Sequence, residues 1–513
     1  MSGFKLLIDT NIVIGLEDTK PVQASLAELA RLSSQHGVGL FVEGANYDDV
    51  MRDRDPARRA VTLSKLDKFQ KLHGLPIAPE QELVQRFGML RNPNDWSDVR
   101  LLTALDAKAV DFLITQDGGL HRRAERAGLG TSVLTIEEGL EWLRQTFQEK
   151  SVSLPYVVER KAYEINTRDP IFVSLRADYP DFDEWFDKCR NQHRDCWVLE
   201  VGSEIAGLVI RKDETFDEAA TSHPGSKILK VCTFKVRDEF RGEKFGELLL
   251  KQILWFAQRN NYDLVYLTIY PRHVLLIDLL KYYGFEVTRN MSGGEQLMEK
   301  PIMKETLPTP AGNIFDFDRV FYPRFYDGPS ARKFYVPIWP DYHRRLFPEI
   351  AFGRELPLFP KESFGPMLNH RRERTPGNTI RKVYLCRAKI ARLQPGDVLL
   401  FYMSKDDVYA ASQSITTLGI IEQLTDATTT EELIHLTAKR SVFSAAELEA
   451  MSASSSSPVK VIDFILIGHI EPTIPLSTLV RLGVFLRQPP QSIAELASDR
   501  YGRLRPYIKL GFA

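Results

Sequence analysis

Cysteine is scarce in this chain: there are four in 513 residues, Cys189, Cys196, Cys232 and Cys386. They are widely scattered and form no C-x-x-C pair, which argues against a zinc site and a disulfide framework and leaves them as buried reduced thiols. Long hydrophobic runs are absent too. No uninterrupted apolar stretch approaches the roughly 20 residues a membrane span needs, and the N-terminus lacks the basic and apolar regions of a signal peptide. A cytoplasmic protein with no membrane partner is expected. Net charge is nearly absent, at −1, so there is no global attraction to nucleic acid and any charged surface must be local. What remains, 43% apolar and 26% charged residues, is the composition of folded globular proteins. The length predicts about three or four domains.

Three segments differ in pattern. Residues 1–148 alternate apolar runs ("KLLIDTNIVI", "GVGLFVE", "DFLITQD", "TSVLTI") with helical periodicity ("VQASLAELARL", "RRAVTLSKLDKFQKL", "DVRLLTALDAKAV"). This βα alternation predicts a mostly parallel α/β sheet. Residues 155–302 read as α+β. Two strands lie about a "GSE" turn in "CWVLEVGSEIAGLVI", followed by the strand "KILKVCTFKV", the helix "FGELLLKQILWFAQRN", the strand "LVYLTIY" and a helix ending in "YYGFE". The stretch "KETLPTPAGN" is a linker by its Pro and Gly content. Residues 314–513 are rich in short strands ("KVYLCRAKI", "GDVLLFYM", "ITTLGIIEQL", "VIDFILIGHI"), and "SASSSSP" from Ser452 reads as a solvated loop. No internal repeat is present.

The acids of the first segment fall in a telling order. Asp9 and Asp117 each end an apolar strand run, and in a parallel α/β sheet the carboxyl ends of the strands form the binding crevice. Asp98 opens the helix "DVRLLTALDAKAV" with Leu101, Leu102 and Leu105 on its buried face, and Asp49 lies early in a short helix with Asn46 placed to cap it. Four carboxylates in one small volume repel one another unless divalent cations compensate. An oxygen-rich, nitrogen-free set suits Mg²⁺ or Mn²⁺, ions that activate water and stabilise charge on a phosphodiester.

"LLIDTNIVI", "YDDV" and "SDVRLLTALDAKAVDFLITQDGGL" together resemble the PIN-domain nucleases. The resemblance implies Mg²⁺-dependent RNA cleavage, with Asp9, Asp98 and Asp117 as metal ligands, Thr10 and Asn11 in support, and Thr115 preceding the last acid. The family's second acid is usually Glu; here Asp49 stands in that region, with Asp48 and Glu43 as rivals.

In the second segment a turn leads straight into a helix N-terminus, a geometry that binds phosphates through backbone donors and the helix dipole. The turn Arg241, Gly242, Glu243, Lys244, Phe245, Gly246 resembles motif A of the GNAT acetyltransferases, with Lys244 in place of the motif's first glycine. "HVLLIDLLKYYGFEV" resembles the same family's closing helix and "GF" turn. The resemblance implies acetyl-CoA binding, with the backbone around Val236 flanking the pantetheine arm. No carboxylate in the preceding strand offers a general base. Tyr283 is a candidate general acid, with a place in the core as its alternative.

In the third segment Arg344, Arg345, Arg354, Lys361, Arg371, Arg372, Arg374, Arg381, Lys382, Arg387, Lys389 and Arg392 face only Glu349, Glu355, Glu362 and Glu373, a basic surface suited to phosphates. "RVFYPRFYDGPSARKFYVPIWPDYHRRLF" mixes arginines with aromatics that would either stack bases or fill a core. "LQPGDVLLFYMS" followed by "TTLGIIEQL" resembles the PUA-like superfold with its ASCH and EVE branches, which implies a small barrel that binds RNA or modified bases. The expectation is an RNA-directed enzyme joining a PIN-like sheet, a GNAT-like α+β domain and a PUA-like barrel, using Mg²⁺ or Mn²⁺ and acetyl-CoA. Its acetyl acceptor stays open. Attack on tRNA or the translation apparatus, as in toxin–antitoxin systems, would add an antitoxin partner. Two alternatives are an acetyl-CoA-sensing, nucleic-acid-binding regulator without catalysis and a protein acetyltransferase with recruiting domains.

Overall fold

The computed structural model describes residues 4–15, 24–67, 69–72, 78–147, 156–201, 204–219, 221–237, 244–304, 306–352, 375–376, 379–388, 390, 392–406, 412–438, 440, 443, 445–486, 488–489 and 491–512. Where the sequence pattern has three segments, the chain packs as two compact units. One comprises residues 1–152, 239–243 and 427–459, and the other comprises the remainder.

The first unit is built on β1 (Lys5–Ile8), β2 (Gly39–Val42), β3 (Gln70–Lys71), β4 (Phe112–Ile114) and β5 (Val133–Leu134), ordered β3-β2-β1-β4-β5. Every pair is parallel. Leu6 and Leu7 of the central strand are fully buried, which is why the run carries no polar alternation. The expected strand "KLLIDTNIVI" stops at Ile8: Thr10–Gly15 forms the helix α1, and Ile12 and Val13 are buried from it. Ile12 and Val13 are therefore apolar in the helical sense, a distinction a short apolar run cannot reveal.

The helices α2 (Ala24–Gln35), α3 (Gly44–Met51), α4 (Pro56–Leu66), α5 (Glu80–Phe87), α6 (Pro93–Asp106), α7 (Gly118–Arg126) and α8 (Ile136–Phe147) complete the alternation. Residues 427–459, which connect two strands of the C-terminal sheet, pack into this unit through helices Thr430–Thr437 and Ala445–Ala450. The His435 ring lies 4.7 Å from that of Phe112, and its Nε2 is 3.4 Å from Asp111 Oδ1. Asp111 precedes β4, so this arm docks at the amino ends of the strands and leaves their carboxyl ends to Asp9 and Asp117.

The second unit holds two sheets. The first has β6 (Tyr156–Lys161), β7 (Asp195–Val201), β8 (Glu204–Glu214), β9 (Ile228–Val236), β10 (Leu264–Ile269), β11 (Glu286–Asn290), β12 (Gln296–Pro301) and β14 (Thr375–Pro376), ordered β11-β12-β10-β9-β8-β7-β6-β14. Its pairs are antiparallel except β9–β10. Its helices are α9 (Val173–Asp178), α10 (Phe182–Asn191), α11 (Phe245–Arg259) and α12 (Val274–Tyr282).

The other sheet runs β15-β18-β17-β16-β13-β19, from β13 (Lys333–Ile338), β15 (Arg381–Cys386), β16 (Val398–Met403), β17 (Ser414–Ala427), β18 (Val459–Pro475) and β19 (Ala494–Glu495), with β20 (Leu510–Gly511) on β18. This is an open path. The closed barrel expected of residues 314–513 is not made by the described strand pairs, although each strand read from the sequence is present.

Candidate functional site

The β9–β10 ladder pairs only Ile228 to Lys230 with Leu264 to Tyr266. Both strands go on, β9 to Val236 and β10 to Ile269, and their outer edges stay paired to β8 and β12. The sheet thus splits at the carboxyl ends of two parallel strands, where α11 and α12 begin, and this is the place where α/β sheets take ligands. Val236 closes β9 opposite Gly207. Arg241, Gly242 and Glu243 lie outside the described residues. Lys244 is the N-cap of α11 with φ 60°, in the left-handed region. A glycine adopts that conformation freely, whereas a lysine loses roughly 1–2 kcal/mol there. Phe245 and Gly246 form the first turn, and a Cβ on Gly246 would meet Leu279 at 3.4 Å, an ordinary contact.

Tyr283 does not face this cleft as a free donor. It is fully buried, near the rings of Tyr282 at 4.9 Å and Tyr322 at 5.4 Å, and its hydroxyl has no hydrogen-bond partner among the described residues. Burial, reinforced by Glu247, pushes its ionisation well above the usual tyrosine range. Of its two readings, the core one describes its place.

A feature the motif search overlooked lies along α11. Glu247, Lys251, Trp255 and Arg259 recur every four residues, one inclined row of the helix surface, and each finds a partner in residues 322–512. Glu247 accepts from the Arg381 amide at 2.6 Å, Lys251 Nζ donates to Glu349 Oε1 at 2.7 Å, Trp255 Nε1 donates to the Tyr322 hydroxyl at 2.7 Å, and Arg259 donates to the Phe512 carbonyl at 3.4 Å. Burial alone would raise Glu349, but the Lys251 ammonium and His469 hold it well below the carboxylate range. The sequence signal was a Glu and a Lys at four-residue spacing inside a largely apolar helix.

In the first unit, Thr115 links the two strand-end acids. Its hydroxyl donates to Asp9 Oδ2 at 2.6 Å and accepts from the Asp117 amide at 3.0 Å, while Asn11 Nδ2 donates to it at 3.3 Å. Asp98 does not open its helix; Asn92 caps α6 and Asp98 is the sixth residue in. Burial and the neighbouring charges of Asp117 and Asp9, opposed by Arg123, push it up to about 7. Burial also raises Asp9, with a further increment from Asp117. Asp9 and Asp117 are thus joined through Thr115, and Asp98 lies within reach of both charges.

Asp49 is committed elsewhere. It accepts from Thr10 Oγ1 at 3.0 Å and Ser97 Oγ at 2.5 Å and pairs with Arg52. Its helix is capped by Glu43, with Asn46 inside as the reciprocal partner, not by Asn46 as expected. The rivals Asp48 and Glu43 both pair with Arg100. Among the described residues no three His, Cys, Asp or Glu side chains stand as a metal-holding group. The expected preformed Mg²⁺ or Mn²⁺ site is corrected to a cluster of acids turned toward the chain's own donors: Asp117 Oδ1, for instance, caps α7 by accepting from the amides of Gly119 at 2.5 Å and Leu120 at 3.1 Å.

Of the basic run, Arg354, Lys361, Arg371, Arg372, Arg374 and Lys389 lie outside the described residues. Arg381 pairs with Glu422, and Lys382 is buried and pushed down to about 7 by that burial. Lys382 is thus an interior charge, and Arg381, partly buried, is committed to Glu422. Arg344 pairs with Asp341 and Asp406. Among the aromatics Tyr322, Phe334, Tyr335 and Phe347 are core, while Trp339 is 75% exposed.

The Acetyltransferase (GNAT) family matches residues 160–285, so the chain carries a GNAT acetyltransferase domain there. No curated protein matches the chain in sequence. Solved structures resemble parts of it. An ASCH protein from Zymomonas mobilis is 13% identical, covering 35% of this chain and 96% of its own, at a TM-score of 0.24. A GNAT family acetyltransferase from Elizabethkingia anophelis with acetyl-CoA bound is 15% identical, covering 28% and 98%, at 0.21. Ard1 from Thermoplasma volcanium is 18% identical, covering 30% and 100%, at 0.24. At these identities and scores they establish neither activity nor ligand for this chain. Among the described residues no helix is long and apolar enough to cross a membrane.

Proposed function

We propose that the second unit is an N-acetyltransferase that uses acetyl-CoA as its acyl donor. The observation that carries this reading is the split of β9 from β10 beside the amino end of α11, inside the segment that matches the GNAT family. The freed edge of β9 up to Val236 would pair with the amides of the pantetheine arm. The amino end of α11, with Lys244 at its cap, would meet the pyrophosphate. Arg241 and Gly242 belong to the same turn by sequence. Titration calorimetry with acetyl-CoA tests the binding, and release of free thiol on adding an amine tests transfer. No heat at about 1 mM ligand, corresponding to a binding free energy weaker than about −4 kcal/mol, would remove the proposal.

A second reading concerns the first unit and rests on the convergence of Asp9, Asp98 and Asp117 at the carboxyl edge of a parallel sheet. Their chemistry, carboxylate oxygens without nitrogen or sulfur, suits Mg²⁺ or Mn²⁺, and a PIN-like nuclease acting on RNA would use such an edge. The acids would first have to turn from their present donors, so cation binding is the primary claim. Mn²⁺ titration of the wild type against Asp98→Asn, followed by an RNA cleavage assay, tests it. Equal response of the two proteins would end this reading.

A further inference from the structure

We infer that a cavity at the amino end of β13 is a binding site for a small organic anion, a carboxylate or phosphate ester that also carries hydroxyl groups. The cavity encloses about 440 Å³, within the range of small-molecule sites. Asp327 and Lys333 close it on one side, and Ser498, Tyr501, Gly502 and Arg505, from the helix Ser498–Leu504 and the residue after it, close it on the other. None of these residues belongs to the GNAT segment 160–285.

Charge in this cavity is out of balance. Lys333 is 6% exposed, and its Nζ donates to the carbonyls of Gly328 at 2.6 Å and Ala331 at 2.7 Å and lies 4.8 Å from the Tyr501 ring centroid. These partners are neutral, so a nearly buried ammonium is left without an ion pair among the described residues. Burial pulls its ionisation below the usual lysine range despite Asp327 and Asp397. Asp397 pairs with Arg332. Asp318, which interacts with Asp327, is pushed up to about 8, chiefly by burial, and adds little negative charge at neutral pH. Asp327 is thus one carboxylate facing two cations, Lys333 and Arg505.

The free hydrogen-bonding groups say what would restore the balance. Asp327 Oδ2 accepts both from the Tyr501 hydroxyl, at 2.9 Å, and from Arg505 Nε, which leaves Oδ1 open to a donor. The Arg505 side chain is 48% exposed, and among the described residues its two Nη groups have no partner. A free guanidinium edge suits a carboxylate or phosphate, and a hydroxyl on the same ligand would donate to Asp327 Oδ1. Gly502 keeps the space open. Glycine weakens a helix interior relative to alanine, yet a Cβ at this position would meet nothing within 4 Å, so packing does not require the glycine.

The test is titration calorimetry of the full-length protein with ribose 5-phosphate, gluconate and uncharged ribose. At least one of the two anions should bind at least about ten-fold more tightly than ribose, the worth of one charge-assisted contact. A response to ribose 5-phosphate alone assigns the site to phosphate esters, and a response to gluconate alone assigns it to carboxylates. Arg505→Gln should weaken the bound anion about ten-fold. Gly502→Leu, which fills the cavity, should abolish binding while the melting temperature stays level or rises. Ribose binding as tightly as the anions, no heat from either anion at about 10 mM, or unaltered affinity in both variants would overturn the inference.

Discussion

In the first unit, Asp9 and Asp117 are linked through Thr115 at a strand edge, and the Arg123 guanidinium lies 3.9 Å from Asp98. Along α11 in the second unit, Lys251 meets Glu349 at 2.7 Å with both side chains 4% exposed. At the first place Asp9 is buried, Asp98 partly buried and Asp117 exposed, and the acids raise one another's ionisation, whereas the second matches buried charge pair by pair. An isolated buried charge costs several kcal/mol unless something compensates it. Matched pairs are consistent with an interface that holds the chain together, and an unmatched group of like charges at the carboxyl ends of strands is what a binding site requires.

Breaking the matched side should have the largest effect. Lys251→Ala would leave Glu349 buried without its ammonium, at a cost of about 3–5 kcal/mol. Urea unfolding followed by tryptophan fluorescence reports on it directly, because Lys251 Nζ lies 4.6 Å from the Trp255 ring centroid. Combining Lys251→Met with Glu349→Leu should recover most of the loss, and a double variant as weak as the single one would show that the pair is not the cause.

On the unmatched side the sign reverses. Asp98 titrates near 7 in the folded protein against 3.8 for the free side chain. Between those values the unfolded chain is ionised while the folded one holds its proton, so stability falls as pH rises through about 4 to 7 and is level above that. Asp98→Asn should therefore stabilise the first unit at pH 8 by on the order of 3 kcal/mol. It should flatten the fall in melting temperature across that window. A variant with the wild-type pH dependence would assign the slope to another group.

The smallest effect sharpens the same contrast at the level of the backbone. Lys244→Gly removes the left-handed strain at the α11 cap and should raise stability by about 1 kcal/mol. It also removes a cation from the helix amino end, so calorimetry should show weaker acetyl-CoA binding. Tighter binding would mean that the backbone shape, and not the lysine charge, limits the turn.

Much of this was legible in advance. Every strand named from "CWVLEVGSEIAGLVI" to "LVYLTIY" is present, as are the helix Phe245–Arg259 and the strand-end placement of Asp9 and Asp117. Patterns of period two and 3.6 and turn residues act over a few neighbours, so a local reading captures them. The misreadings share one cause. "NIVI" after Asp9 was taken as strand because a short apolar run fits either element. Asn46 was taken as a cap because the capping pair Glu43 and Asn46 is reciprocal and reads the same from both ends. Arg381 and Lys382 were counted as surface because nothing in a basic run tells which members will meet Glu422 or enter the interior.

By itself, then, the amino-acid order determined the element types, the parallel βα alternation of the first unit and the strand-to-helix turn at Lys244. These depend on side-chain periodicity and on φ preferences that each residue carries wherever it is placed. Only the tertiary structure decided which charges are matched and which are not. The partner of Lys251 stands 98 positions away, and the acids that raise Asp98 stand on separate elements of the sheet edge. Electrostatic energy depends on distance through space and on the water excluded between groups, and neither is written in the spacing along the chain.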